Sequence, residues 1–123
     1  MILLDANYIL RFLLKDNLEM YEIVKDTVIS NDCFVLNEVL TEVVFVLLKV
    51  YKIEKIDISN SLKQFVGFDN IIMSDKLSIL LSLEIFANKN LDFVDCILCA
   101  KSDKYEIKTF DKQLQKCINS KIS

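Results

Sequence analysis

Apolar residues in this chain fall into two patterns: short unbroken runs and longer stretches spaced at three and four residues. Four runs read as buried strands: Ile2–Leu4, Cys33–Leu36, Asn70–Met73 and Glu106–Phe110. Between them, helical spacing covers residues 6–15, 18–30, 37–53, 58–67, 75–88 and 91–104, and a last helix starts at or just after Asp111. Favoured capping residues punctuate the helices: Asp16 or Asn17 before the second, Asp57 before the fourth, Ser74 before the fifth and Asn90 before the sixth. Gly67 is placed to stop the fourth helix. Strands separated by helix pairs predict an α/β fold with a parallel sheet.

Composition narrows this picture. The 123 residues fit one compact domain, residues 1–123, and with no proline and a single glycine no linker can be drawn. Apolar residues make up 53%, yet charges interrupt every run before the roughly 18 residues that a membrane span needs. The start, Met1-Ile2-Leu3-Leu4-Asp5, has neither a basic leader nor a small-residue cleavage site, so a cytoplasmic protein without membrane contact is expected. Cys33, Cys96, Cys99 and Cys117 are irregularly spaced, which favours reduced, core-packed thiols. The Cys96-x-x-Cys99 pair has no second pair or histidine to complete a zinc site.

The complete lack of histidine excludes Ser-His-Asp and Cys-His catalysis and every histidine-ligated metal. Any metal must be held by side-chain oxygens, which suits hard cations such as Mg²⁺ or Mn²⁺. The net charge of −3 argues against non-specific nucleic-acid binding, but residues 101–123 carry six lysines against three acids. Lys101, Lys104, Lys112 and Lys116, spaced i, i+3 and i, i+4, make either a solvated surface or a rim that contacts phosphates.

Asp5, Glu42, Asp95 and Asp111 carry the most information, because each interrupts an apolar segment. A carboxylate is rarely buried unless it is paired, hydrogen-bonded or bound to metal. Each has an ordinary alternative: Asp5 and Asp111 as helix caps, Glu42 in a stripe with Glu38 and Lys49, Asp95 on a face with Asp92 and Ser102. The layout nevertheless brings all four to one edge. Asp5 and Asp111 end the first and last strands, on the side where open α/β sheets bind ligands, and Glu42 and Asp95 lie about one turn into their helices. Other signatures fail. Gly67 alone makes no phosphate loop, and Asp5-Ala6-Asn7 lacks the second acid of a phosphatase nucleophile loop.

With these residues in view the whole chain resembles the PIN domain, and within it the VapC-type toxins of prokaryotic toxin–antitoxin pairs. Ile2–Arg11 is similar to the family's first strand and helix, Val39–Leu47 to its second-acid helix, Leu91–Ala100 to its third, and Thr109-Phe110-Asp111 to its closing segment. The resemblance implies an α/β/α sandwich around a twisted parallel sheet of four or five strands. It implies Mg²⁺ or Mn²⁺ held by Asp5, Glu42, Asp95 and Asp111, and single-stranded RNA as the substrate of an endoribonuclease. It also implies a homodimer and a small antitoxin protein as inhibitor. Asn7 and Thr109 are candidates to orient a carboxylate or hydrogen-bond water at the ion, with Asp92 further out. Two features depart from the pattern: Lys104-Tyr105-Glu106 replaces a glycine of many relatives, and only twelve residues follow Asp111. A non-catalytic PIN-like module binding RNA or protein, and a DNA nuclease with the same metal chemistry, are the competing expectations.

Overall fold

The computed structural model describes residues 1–122. In chain order it contains β1 (Ile2–Leu3), α1 (Ala6–Leu14), α2 (Leu18–Ser30), β2 (Cys33–Phe34), α3 (Asn37–Lys49) and α4 (Lys55–Val66). There follow β3 (Ile71–Ile72), α5 (Lys76–Asn88), α6 (Phe93–Ala100), a 3₁₀ turn over Lys101–Asp103 and α7 (Lys112–Ile122). The α/β class read from the sequence is what the chain forms.

The strands make one parallel sheet in the order β1-β2-β3, with Ile2 opposite Cys33 and Cys33 opposite Ile71. Each is shorter than its apolar run, although ladder bonds continue past the ends: Leu4 N–H donates to Phe34 O and Val35 N–H to Ile72 O. Cys33, Val35 and Ile71 are fully buried, whereas Leu3 on edge strand β1 is 61% exposed. Glu106–Phe110, expected as a fourth strand, joins no ladder among the described residues, so the sheet has three strands and not four or five. The Thr109 carbonyl is taken by the Gln115 amide at 2.8 Å, and the backbone turns at once into the cap of α7. Side-chain alternation there, with Ile107 and Thr109 half-buried between exposed neighbours, imitates a strand without the pairing.

Side-chain caps decide most helix starts. Asn17 caps α2 by accepting from Met20 N–H, while Asp16 instead binds Arg11 at 2.7 Å. Asp75, not Ser74, caps α5 through Ser78 N–H, and Asp92, not Asn90, caps α6 through Asp95 N–H. Helix α4 begins earlier than its spacing suggested, at Lys55, which puts Asp57 inside its first turn. It ends at Gly67, where a Cβ would sit 2.9 Å from Lys63 O; close backbone approach, not positive φ, calls for glycine. Helix α3 stops at Lys49, short of residue 53, as the chain turns through Lys52 at φ 57°.

Packing joins the later helices. Ser59 Oγ donates to Leu83 O at 2.7 Å across α4 and α5, and Phe86 meets Phe93 edge-on at 5.7 Å across α5 and α6. Lys55 places its ammonium 4.5 Å from the Phe86 ring centroid and donates to Leu91 O at 2.8 Å and Lys89 O at 3.2 Å. One cation from α4 thereby fixes the turn that precedes Asp92. The cysteines correct the expectation of four reduced thiols: Cys99 and Cys117 form a disulfide joining α6 to α7, while Cys33 and Cys96 stay free and buried. Among the described residues no helix is long and apolar enough to cross a membrane.

Candidate functional site

One acid stands just past a strand, and the others belong to helix starts and helix turns. Asp5 follows β1 with extended backbone (φ −93°, ψ 171°), and its Oδ1 accepts from Tyr8 N–H at 2.8 Å. Asp111 caps α7 in the same way, accepting from Leu114 N–H at 2.9 Å. Its own N–H donates to Thr109 Oγ1 at 3.0 Å, which ties the Asp111 backbone to the threonine. Glu42 is exposed in the second turn of α3, and Asn7 is exposed in the first turn of α1.

Asp95 lies in the first turn of α6 and is half-buried. Burial raises its pKa first, and the negative charges of Asp92 and Asp111 raise it further. The structure therefore brings Asp92 and Asp111 each within electrostatic reach of Asp95. It links Asp5 and Glu42 to that trio by no hydrogen bond or ion pair, and among the described residues no three acids converge closely enough to form a ready-made metal cage.

The donor set nonetheless suits a hard divalent cation. The ion pairs among the described residues, Arg11–Asp16, Lys63–Glu84, Lys101–Asp75 and Lys108–Glu106, all use other carboxylates. Asp5, Asp92 and Asp111 each commit Oδ1 to a helix N-terminus, and among the described residues Oδ2 of each has no hydrogen-bond partner. Capping and metal binding are thus compatible in one side chain. Like charges left without a counter-charge in a partly dehydrated place favour either protonation or a bound cation.

Among the lysines proposed for a phosphate rim, Lys101 is committed to Asp75 at 2.8 Å, with both side chains about one-quarter exposed. Lys104, Lys112 and Lys116 are exposed. Two features escaped sequence reasoning. Asn37, the first residue of α3, has a buried Oδ1 without a partner, and nothing in its neighbours marks it out. Phe110, hidden in an apparent strand, is fully exposed. The larger hollows lie elsewhere: one of about 380 Å³ is lined by Phe12, Tyr21, Lys25 and Phe68, whereas the acids border a smaller one of about 190 Å³ through Asp92.

A short parallel sheet with helix-pair crossovers is an open α/β arrangement, and Asp5 stands just past its first strand. The chain belongs to the PIN domain family, whose sequence profile matches residues 2–117. No curated protein and no solved structure matches it significantly.

Proposed function

We propose that this protein is a divalent-metal-dependent endoribonuclease that cleaves single-stranded RNA, acting as the toxin of a toxin–antitoxin pair. The observation that supports this reading is half-buried Asp95 in the first turn of α6, pushed toward its protonated form by burial and by the charges of Asp92 and Asp111. Asp5, Glu42, Asp95 and Asp111 are the residues to hold Mg²⁺ or Mn²⁺. When bound, such an ion neutralises charge on the scissile phosphate and makes water a better nucleophile.

The chain's own residues supply orientation. Thr109 fixes the backbone of Asp111, Asp92 fixes the first turn of α6 that carries Asp95, and Asn7 stands two residues after Asp5 in the first turn of α1. Lys104, Lys112 and Lys116 offer charge to the RNA backbone, and Lys101 holds Asp75. In-line displacement by water leaves a 5′-phosphate and a 3′-hydroxyl. A non-catalytic binding module with the same fold gains nothing from unpaired like charges, which disfavours that alternative.

The same reading makes the protein a homodimer inhibited by a small antitoxin. The surface on offer includes the exposed apolar side chains Leu18, Met20, Ile23 and Ile29 of α2, of which Ile29 lines a hollow with Phe12, Tyr21 and Phe68. End-labelled single-stranded RNA and DNA, incubated with purified protein and Mn²⁺ or excess EDTA, test the proposal. RNA should be cut only with metal, and expression of the chain alone should arrest growth. Undiminished cleavage in EDTA, or cleavage of DNA in preference to RNA, would overturn it.

A further inference from the structure

Phe110 is 101% exposed, beyond every other large apolar side chain in the described structure. A lone exposed aromatic is ordinary on a protein surface. This one is held on both sides. The preceding carbonyl, Thr109 O, accepts from Gln115 Nε2 at 2.8 Å, and the following residue, Asp111, donates to Thr109 Oγ1 and caps α7. Packing gains nothing from a ring presented in this way.

Its surroundings are cationic. Lys108 and Lys112 stand two residues to either side, both exposed, with Lys104 and the 62% exposed Tyr105 further back along the same segment. Lys108 pairs with Glu106 at 2.8 Å, but both side chains are at least 80% exposed, and an ion pair so open to water leaves the lysine available. Alternating cations and exposed aromatics suit a single strand: phosphates take the charges, and a base freed from its neighbours stacks on the ring.

We propose that Phe110 is a stacking platform for one unpaired base of a single-stranded RNA, with Lys108 and Lys112 contacting the adjoining phosphates and delivering the strand to the acids beside Asp111. The proposal rests on the nuclease reading for the identity of the strand, and it adds the residue that grips the substrate. Because every base has an aromatic face, the contact selects unpaired over paired strands more than it selects sequence.

The experiment uses full-length protein carrying Asp5→Asn, which suppresses cleavage, in Mg²⁺ with a short RNA containing one 2-aminopurine. Affinity is read by anisotropy and stacking by quenching of the base analogue. Phe110→Ala should weaken binding on the order of tenfold and abolish the quench. Phe110→Tyr should keep both, and Phe110→Leu, apolar but not aromatic, should behave as alanine does. Binding by Phe110→Ala within twofold of the parent, or an unchanged quench, would overturn the proposal. So would sedimentation showing that Phe110→Ala breaks a dimer while RNA affinity stays constant. RNA cleavage with no dependence on Phe110 would sink this inference alone, whereas Phe110-dependent binding without cleavage in any metal would sink the nuclease reading alone.

Discussion

Asp75 shows how much one carboxylate can do away from the candidate site. It caps α5 and accepts a hydrogen bond from Lys101, which, with Ser78, holds its pKa down to about 2. A depressed carboxylate pKa contributes stability that is complete above the unfolded value of about 3.9 and disappears as pH falls through about 2. Asp75→Asn keeps a good capping oxygen and removes the charge. At pH 7 it should cost about 1 kcal/mol, and the gap between wild-type and variant melting curves should close between pH 4 and pH 2. A gap of equal size at both ends would mean that the ion pair is inert. Sequence narrowed the caps without resolving them. Ser74 and Asp75, like Asn90 and Asp92, are all competent, and the choice falls to the oxygen that reaches the N–H three residues on, Ser78 or Asp95. For Asp5 and Asp111 the sequence posed cap against ligand as alternatives. Because Oδ1 makes the cap in each and Oδ2 has no partner among the described residues, the alternatives do not compete.

Helices and strands were legible where periodicity alone decides them. The spacing of α1, α2 and α5 gave their extents to within a residue or so, and a capping side chain fixes each start. Glu106–Phe110 was not legible, because alternation reports burial and not pairing. The cysteine pairing was equally hidden. Four cysteines allow six single pairs, and only the packing of α6 against α7 brings Cys99 to Cys117. That bond closes a sequence separation of 18 residues, for which restriction of the unfolded chain gives about 3 kcal/mol. Dithiothreitol should therefore lower the melting temperature of the oxidised wild type to near that of Cys117→Ser, and leave the variant unmoved. A wild-type melt insensitive to reductant would remove the bond from the account. The bond also joins the helix that carries Asp95 to the one capped by Asp111, so it holds two acids of the cluster in one frame.

At the scale of the whole molecule, the chain separates a well-packed interior from a surface where Asp92 and Asp111 crowd half-buried Asp95. Buried side chains such as Ile9, Leu40, Phe65, Leu83 and Phe86 come from helices across the fold, and none belongs to the acidic cluster. On the proposed function, Asp95 and its acidic neighbours hold a divalent ion, and without it their like charges cost stability. Asp95 has a raised pKa, so its penalty is absent at low pH and grows as pH rises through the folded-state value; neutral pH is where it is felt. The direct measurement is a thermal melt at pH 7 of wild type and Asp95→Asn, each in EDTA and in Mn²⁺. In EDTA the variant should melt above the wild type, because it relieves burial of a charge and repulsion from Asp92 and Asp111. Mn²⁺ at a hundredfold excess over its Kd should stabilise the wild type by about 2.7 kcal/mol and barely move the variant. An Asp95→Asn protein that melts lower in EDTA and still gains the full Mn²⁺ shift would contradict the account.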